Sequence, residues 1–428
     1  MSFLYAGLTF IVLLLFNVPI AFTLGITGIM YFLTQSSIPL PIVAQRLVSG
    51  TQSFPLLAVP FFLLAGHLMN ASGITVRLIR LADALVGHLP GSLGQVSCVL
   101  SMFMGGVSGS SNADAAMETR ILLPEMRRRG YDDGFSAAVL ACSSLSAAVI
   151  PPSIGLVLYG YVGRVSVGKL FIAGIIPGIL MGLTMMGVTH WKAVRNKYDW
   201  ERRRRRSSTQ EIFTALRESI WALLFPLFLV ITLRFGIFAP VEAAAFAVFY
   251  ALIVGKFIHR ELDWKKFWEA MRDAAEDTSI IMLIVSMAAI VMYALAFEKV
   301  PAKMSTFILT LGANPFLLML AITAFLLAAG AVMEGTVNIL LLTPILLPLV
   351  VQAGFDPVHF GIIMGILIQI GGVTPPVGVN MYTVCSLGGI PVEKYIKHSW
   401  PYILALIGLV ILLILIPQLS LILVGLMR

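Results

Sequence analysis

Charged side chains are scarce in this sequence. Asp, Glu, Lys and Arg make up 12% of its 428 residues, about half the share that is typical of a soluble domain. Hydrophobic residues make up 59%, and the mean hydropathy is +0.95. This composition excludes a soluble globular protein and predicts a polytopic membrane protein.

Cysteine and the common catalytic motifs are scarce as well. Cys98, Cys142 and Cys385 stand alone in apolar sequence without metal-ligand spacing, so we expect small core residues. The sequence has no Gly-rich phosphate loop with its Lys, no His-Glu-x-x-His pair and no Gly-x-Ser-x-Gly motif. These absences argue against an enzyme and favour a transporter that does not hydrolyse ATP.

Long apolar runs recur from end to end, each able to cross a hydrocarbon layer of about 30 Å as a helix. The period-2 segments of an outer-membrane barrel do not occur, so the predicted fold is all-α. The predicted single crossings are Leu4 to Leu33, Phe54 to Met69, Ser136 to Tyr161, Leu170 to Trp191, Ile220 to Phe238, Val241 to Phe257, Ser279 to Phe297, His359 to Leu387 and Tyr402 to Leu426.

Four polar or proline-containing breaks interrupt the apolar sequence. Ser92 to Met126 and Pro315 to Val351 break at their centres into small and polar residues, which predicts two re-entrant helical hairpins, because irregular backbone at membrane depth must be buried or line a cavity. Consecutive prolines break two later segments, Ile150 to Gly155 and Val373 to Gly378. Proline removes backbone donors, so both segments are predicted to unwind.

The two halves of the chain match at one offset of 224 positions, which indicates an internal duplication. The matching pairs are Gly106 with Gly330, Pro124 with Pro348, Gly130 with Gly354, Asp132 with Asp356, and Pro151-Pro152 with Pro375-Pro376. An additional helix between the copies, Ile220 to Phe238, would invert the second copy relative to the first.

The net charge of +8 reports membrane topology and not nucleic-acid binding, because the basic residues sit in short loops beside apolar helices. Placing Arg202 to Arg206 in the cytoplasm puts most Lys and Arg residues on that side and predicts a cytoplasmic N-terminus. The amphipathic segments Gly73 to Val86, Pro301 to Leu311 and Asp263 to Asp277 are predicted to lie along the membrane surface, with ordinary surface loops as the alternative.

Oxygen-rich residues at the four breaks predict two cation sites, one in each repeat. The first set is Ser108, Ser110, Ser111, Asn112, Pro151 and Ser153, and the second is Glu334, Gly335, Thr336, Asn338, Thr374, Pro375 and Gly378. Half-helix N-termini at the same depth suit an anion. The candidate substrate-binding residues are Asp114, Ser153, Thr336 and Pro376.

Other intramembrane charges have a simpler interpretation, except at the hairpin tips. Asp114 and Glu334 are each either a cation ligand or a cap of a half-helix, and the sequence leaves both roles open. The remaining charges lie near predicted helix ends, where snorkelling or capping is expected. They are Arg234, Glu242, Glu276, Asp277 and Glu298.

Four segments resemble the large membrane subunit of tripartite ATP-independent periplasmic (TRAP) transporters. They are GGVSGSSNADAAM at Gly105 to Met117, IPPSIGLVLYG at Ile150 to Gly160, KLFIAGIIPG at Lys169 to Gly178 and GGVTPPVGVNMY at Gly371 to Tyr382. The resemblance covers essentially the whole chain. It implies an elevator-type, sodium-driven secondary transporter in a bacterial inner membrane, which works with a small four-helix membrane subunit (Q type) and a periplasmic substrate-binding protein (P type).

The resemblance implies a small carboxylate substrate, of the sialic acid or C4-dicarboxylate type. Ser110-Ser111-Asn112 stands where the family more usually has Ser-Ala-Val, and we favour sialic acid. Because the sequence begins at the large subunit's first helix, the small subunit is expected to be a separate chain. Two alternatives are a stand-alone sodium and anion symporter without a binding protein and, more remotely, an intramembrane hydrolase using Asp114 with Ser108 or Ser111.

The breaks divide the chain into a moving transport domain and a fixed scaffold. The expected transport halves are residues 91–163 and 313–388. The expected scaffold comprises residues 1–90 with an interfacial arm, residues 164–300, a second arm at 301–312 and a C-terminal helix within 389–428.

Overall fold

The structure is a computed structural model that describes residues 2–16, 18–35, 37–199, 205–310 and 314–426. The described residues form helices and no strand, which confirms the all-α prediction. Arg202 to Arg204 of the predicted topology run and Leu311 of the second predicted arm lie outside the described residues.

Twenty α-helices follow one another along the described chain. The first half contains α1 (Ser2–Leu15), α2 (Ile20–Thr34), α3 (Pro41–Ser49), α4 (Ala58–Ala71), α5 (Ile74–Val86), α6 (Ser92–Gly105), α7 (Ser111–Arg128), α8 (Asp133–Ser143), α9 (Ile154–Gly163) and α10 (Val167–Asn196). The second half contains α11 (Thr209–Arg234), α12 (Pro240–Ile253), α13 (Trp264–Phe297), α14 (Val300–Thr310), α15 (Pro315–Val332), α16 (Gly335–Gln352), α17 (Pro357–Gly371), α18 (Val379–Gly388), α19 (Val392–Leu415) and α20 (Gln418–Gly425).

Both predicted hairpins and both predicted breaks are present. Helices α6 and α7 form hairpin 1, and α15 and α16 form hairpin 2. The two ends of hairpin 1 lie together, since the Arg129 guanidinium donates a hydrogen bond of 3.1 Å to the Ser92 hydroxyl. The proline pairs separate α8 from α9 and α17 from α18, and each contains a cis Pro-Pro peptide bond.

The offset of 224 positions holds at the level of helix caps. Ser110 and Glu334 are the N-caps of α7 and α16, and Asp132 and Asp356 are the N-caps of α8 and α17. Each of these side chains accepts from a backbone N–H of the first helical turn. Helices of the two repeats also pack against each other symmetrically. Helix α7 packs on α18 and its equivalent α16 packs on α9; likewise, α2 packs on α13 and its equivalent α12 packs on α4.

The predicted single crossing from Leu4 to Leu33 is wrong. Helices α1 and α2 pack against each other, and the Ser2 hydroxyl at the start of α1 donates to the Thr34 carbonyl at the end of α2 (2.9 Å). The run is therefore an antiparallel hairpin of two short helices. Its first member, α1, corresponds to α11, so the helix between the copies is not an addition and belongs to the second repeat. Five passes in each repeat, an odd number, leave the repeats inverted.

One other predicted segment needs adjustment. The polar segment Asp263 to Asp277 is not a separate surface helix but the first part of α13, whose 34 residues span roughly 51 Å. Because this exceeds the hydrocarbon thickness of about 30 Å, α13 extends well beyond it. Among the described residues, eight helices are long and apolar enough to cross a membrane.

Packing groups the helices into two parts around the hairpins. Helices α2, α4, α12 and α13 pack on one another, and we name this group the scaffold. The long helices α10 and α19 pack on α6, α8 and α17, in the part that contains the hairpins. This grouping differs from the expectation that residues 164–300 and 389–428 are entirely scaffold, because α10 and α19 lie with the hairpin-containing part.

Candidate functional site

Each hairpin tip lies against the Pro-Pro break of its own repeat. In repeat 1, Gly109 has φ +61°, and a Cβ added there would lie closer than 3.0 Å to the Pro152 carbonyl oxygen. In repeat 2, the Val377 N–H donates to the Ala331 carbonyl at 3.0 Å. The four breaks therefore converge in pairs, as the sequence predicted.

Side-chain hydrogen bonds then join the two repeats at the tip of hairpin 1. The Ser111 hydroxyl donates to the Gln369 side-chain oxygen on α17 at 2.6 Å. The Thr383 hydroxyl on α18 donates to the Asn112 side-chain oxygen at 2.6 Å. Gln369 and Thr383 were not among the predicted site residues, because both lie away from the proline break in ordinary helical sequence.

The oxygens predicted for the first cation site already have partners inside the protein. The Ser108 hydroxyl donates to Asp114 at 2.9 Å. The Ser153 hydroxyl donates to the Ala148 carbonyl at 2.5 Å and caps α9 by accepting from the Leu156 N–H at 3.3 Å. Hydroxyl groups that donate in this way keep lone pairs for a cation. Next to the predicted Pro151, the Pro152 carbonyl oxygen lies against Gly109 of the tip.

Glu334 is a helix cap. Its carboxylate accepts from the Thr336 N–H at 2.8 Å, from the Thr336 hydroxyl at 3.0 Å and from the Val337 N–H at 3.3 Å. Asp114 has a different position, since the N-cap of α7 is Ser110 and Asp114 lies one turn further on. The two tip acids therefore have different roles.

Other members of the second predicted set make contacts within the tip of hairpin 2 and within the second Pro-Pro break. The Asn338 side-chain NH₂ donates to the Met333 and Glu334 carbonyls at 2.9 and 3.2 Å. The Thr374 hydroxyl donates to the Ile370 carbonyl at 2.7 Å. Gly378 lies so close to the Thr374 carbonyl that an added Cβ would be 2.9 Å from that oxygen.

Two buried oxygens lack partners at equivalent positions of the repeats. Asp114 Oδ2 and Asn338 Oδ1 have no hydrogen-bond partner among the described residues, and 224 positions separate the two residues. Asp114 is 1% exposed and Asn338 is fully buried. Because a buried polar atom without a partner costs about 1–3 kcal/mol, both positions favour a ligand, and an oxygen favours a cation.

A cavity of about 420 Å³ lies between the tips, and we name it the central cavity. Its polar lining residues are Ser110, Ser111, Asn112, Asp277, Glu334, Thr336, Gln369 and Asn380. Asn380 is 4% exposed, and its side-chain nitrogen has no partner among the described residues. This donor suits an anionic group, as do the N-termini of α7 and α16 beside it.

The four predicted substrate-binding residues do not meet in the central cavity. Thr336 lines it, whereas Asp114 lines an adjoining cavity of about 320 Å³ on the scaffold side of hairpin 1. Ser153 is fully buried in its capping role, and Pro376 lies outside the lining of both cavities. Thr336 and Asp114 therefore line different cavities.

Asp277 is the clearest residue that sequence reasoning misjudged. It lies within α13, not at a helix end, and its carboxylate is 2.8 Å from His67 Nε2 of α4. Asp277 lines both the central and the adjoining cavity, and His67 lines the adjoining one. The predicted boundary between a surface helix and a crossing fell at this residue, which hid its position. By contrast, Glu242 caps α12 as expected, accepting from the Ala239 N–H at 2.8 Å.

Glu118 was missed entirely. It is fully buried one turn beyond Asp114 and accepts from the hydroxyls of Ser97, Ser101 (2.7 Å) and Ser143 (3.5 Å). Ser97 and Ser101 lie on α6 and Ser143 lies on α8. The Glu118 carboxylate on α7 therefore links both helices of hairpin 1 to the helix before the first Pro-Pro break. The signal in the sequence was a carboxylate and serines spaced along two facing helices.

Comparison with known proteins gives one consistent family. Residues 8–419 match the family described as "Tripartite ATP-independent periplasmic transporter, DctM component". The chain is 37% identical over 403 residues to the 2,3-diketo-L-gulonate TRAP transporter large permease protein YiaN of Escherichia coli, covering 94% of each chain. It is 34% identical over 411 residues to the sialic acid TRAP transporter large permease protein SiaM of Vibrio cholerae, covering 96% of each.

A longer relative and a solved structure complete the comparison. The chain is 37% identical over 416 residues to the isethionate TRAP transporter permease protein DctMQ of Oleidesulfovibrio alaskensis, and it spans 65% of that relative's length. Its fold is similar to the crystal structure of the Alcanivorax borkumensis YdaH transporter, with a TM-score of 0.56, 13% identity and 98% of both chains covered. At that identity the likeness concerns the fold alone.

Proposed function

This chain belongs to the DctM family of tripartite ATP-independent periplasmic transporters, and from that premise we propose that it carries a small organic acid across the bacterial inner membrane together with sodium. Its relatives are named as large permeases and not as enzymes. The observation that carries the sodium proposal is the pair of unpartnered buried oxygens, Asp114 Oδ2 and Asn338 Oδ1, at equivalent positions of the inverted repeats.

The residues around these oxygens fit sodium. Sodium takes oxygen ligands, and each tip offers hydroxyl, amide or carboxylate oxygens together with nearby backbone carbonyls. Ser108 belongs with Asp114 in repeat 1, and Thr336 and Thr374 belong with Asn338 in repeat 2. We therefore move Asp114 from the substrate set to the first cation set. A bound cation at each tip would offset the cost of leaving those oxygens buried and would fix the tips for the substrate.

The central cavity supports an anionic substrate. The unpartnered donor of Asn380 lies in its wall, with the N-termini of α7 and α16 beside it. Relatives are named for a keto sugar acid, for sialic acid and for isethionate, all of them acids. A carboxylate that binds beside Asn380 would accept from its side-chain nitrogen, which has no partner among the described residues. The Ser111 and Thr336 hydroxyls lie in the same cavity wall but already donate to Gln369 and Glu334.

An elevator mechanism fits the division between the two groups of helices. The hairpins and broken helices pack together with α10 and α19, and the cavities lie along the boundary with the scaffold helices α4 and α13. A third cavity of about 310 Å³ shares His67 and Asn70 with the adjoining cavity and reaches the charged residues Glu261 and Lys266. Since the topology places these charges in the cytoplasm, the cavities describe an inward-facing path.

The family supports a proposal for the partners, and the fold supports one for the orientation. We propose that the chain works with a small membrane subunit and a periplasmic substrate-binding protein, and the combined DctMQ name of one relative supports the former. Keeping the Arg-rich loop in the cytoplasm and counting α1 and α2 as two passes places Ser2 on the outer face. This revises the cytoplasmic N-terminus, which depended on a single first crossing.

Sodium titration of uptake in proteoliposomes tests the proposal. Thr336→Ala should raise the sodium concentration for half-maximal uptake about tenfold, because a hydrogen bond or ligand to a charged group contributes about 1.5–3 kcal/mol. Thr343→Ala is the matched control, since it removes the same hydroxyl from the same helix two turns from the tip, where the Thr343 hydroxyl donates to the Met364 sulfur at 3.6 Å. Equal titrations for both variants would contradict the second cation site.

Uptake with and without the binding protein separates the proposal from a stand-alone symporter. Accumulation of intact labelled acid that requires a sodium gradient supports transport, whereas release of a hydrolysed product would support the intramembrane hydrolase. No accumulation with any acid, with sodium and binding protein both present, would contradict the proposed function as a whole.

A further inference from the structure

The scaffold wall of the cavities carries a contact between a histidine and a carboxylate that capping or snorkelling does not explain. His67 on α4 and Asp277 on α13 lie 2.8 Å apart, and their side chains are 27% and 48% exposed. Helices α4 and α13 already pack on each other along their length. The pair faces the cavities instead, since Asp277 lines the central cavity opposite Ser110 and Asn112.

The cavities contain little positive charge. No Lys or Arg is among the described residues that line the central or the adjoining cavity, and His67 is the one His there. His67 is already engaged by Asp277. Negative charge is more abundant, because Asp277 and Glu334 line the central cavity and Asp114 lines the adjoining one.

This distribution distinguishes two kinds of organic acid. One carboxylate can be held by Asn380, by the helix N-termini and by the cations at the tips. A second carboxylate extending toward the scaffold would meet Asp277 without a cationic side chain to neutralise it, and like charges at such a place repel. A hydroxyl group in the same position would donate to the Asp277 carboxylate, which is a strong charge-assisted hydrogen bond.

We propose that His67 and Asp277 form a specificity pair: Asp277, oriented by His67, accepts hydrogen bonds from substrate hydroxyls and excludes a second carboxylate. The site then prefers a hydroxylated monocarboxylate, such as a sugar acid, to a dicarboxylate. This inference rests on the proposed function, because it needs a carboxylate to bind between the tips. Asp277 belongs to the scaffold, so it contacts the substrate only while the hairpins face it.

Ligand-induced stabilisation of the purified full-length chain in sodium buffer tests the pair without the selectivity of a binding protein. The probes are gluconate, a hydroxylated monocarboxylate, and succinate, a C4-dicarboxylate. The wild-type unfolding temperature should respond to gluconate at a concentration at least about fivefold below that needed for succinate. Asp277→Asn should reverse or abolish this preference, by weakening gluconate and improving succinate.

Glu276→Gln is the matched control, because it removes one negative charge from the adjacent position of α13, where Glu276 is exposed and lines neither cavity. It should keep the wild-type preference. His67→Leu is a second variant in case Asp277→Asn does not fold: it keeps the Asp277 charge but removes the imidazole nitrogen that contacts it. Gluconate should then bind more weakly, while succinate should not bind more tightly.

Two results would overturn the specificity pair while leaving the proposed function intact. One is a sodium-dependent response to carboxylates in which Asp277→Asn and His67→Leu both match Glu276→Gln. The other is a wild-type preference for succinate. A failure of every carboxylate to stabilise the wild type in sodium, together with absent uptake in proteoliposomes, would overturn the proposed function and the pair together.

Discussion

Replacing Gly109 with alanine should damage the proposed first cation site more than it damages the fold. Gly109 has a left-handed backbone, and an added methyl group would collide with the Pro152 carbonyl oxygen. That oxygen is backbone, so it cannot move aside as a flexible side chain would. The tip of hairpin 1 must therefore shift away from the Pro-Pro break.

The magnitude can be separated into two parts with a control variant. Gly130 at the base of the same hairpin also has positive φ, at +79°, but nothing lies within 4 Å of a Cβ added there. Alanine at either position costs about 1–2 kcal/mol for the left-handed backbone. Only Gly109→Ala adds the overpacking cost of about 1–3 kcal/mol, which is roughly 5- to 150-fold in affinity for a ligand that needs the tip and the break together.

The assay is the sodium dependence of uptake in proteoliposomes, with thermal unfolding measured in parallel. Gly109→Ala should raise the sodium concentration for half-maximal uptake by the factor above, while Gly130→Ala should change the unfolding temperature but leave the sodium dependence close to wild type. If the two variants give the same sodium titration, the contact between Gly109 and Pro152 does not shape the site, and the reasoning fails.

Two further predictions concern the interior of hairpin 1 and the N-terminus. Ser101→Ala should destabilise the protein by about 1.5–3 kcal/mol, since it removes a donor from the buried Glu118 carboxylate. Ser144→Ala, which loses only a bond to the Ala141 carbonyl, should cost about 1 kcal/mol, and equal unfolding temperatures would contradict a special role for Glu118. A Ser2→Cys variant should react with a membrane-impermeant maleimide added outside intact spheroplasts, whereas Ser207→Cys should react only after lysis. The reverse pattern would restore a cytoplasmic N-terminus; the three native cysteines are buried and should give little background.

The sequence predicted the hairpins and breaks well because each is a local conflict with its surroundings. Ser-Gly-Ser-Ser-Asn-Ala-Asp and the two Pro-Pro pairs cannot continue an apolar helix at membrane depth. The offset of 224 then tied the four breaks together, and the caps Ser110 and Glu334 occupy positions related by it. Local chemistry and one repeat distance were sufficient for this part of the fold.

The N-terminal hairpin was harder because only Asn17 and Pro19 interrupt the apolar sequence between its two helices. Leu4 to Leu33 resembles one hydrophobic run, and Pro19, the residue before α2, was its main helix-breaking signal. Length was the neglected signal, since 30 residues in one helix span roughly 45 Å where about 30 Å suffices. Counting that run as one crossing also produced the spurious additional helix between the repeats.

The missing site residues could not be found from local patterns. Asp277, Gln369 and Thr383 each lie in regular helical sequence, and their importance arises from helices that meet across the molecule. Glu334 illustrates the opposite case: its role as a ligand or a cap was left open by sequence, and three hydrogen bonds from Thr336 and Val337 identify it as a cap.

The bonds that join the repeats also constrain how the protein is made. Ser111 is hydrogen-bonded to Gln369, which lies 258 residues later in the chain. Asn112 is hydrogen-bonded to Thr383, which lies 271 residues later. At a synthesis rate of about 5–20 residues per second, the tip of hairpin 1 waits roughly 13 to 54 seconds for these partners. During that interval a polar tip must be held within the insertion machinery or against its own repeat alone. Completion of the site is therefore among the last events in biogenesis, and chains interrupted before α17 leave that tip without its partners on α17 and α18.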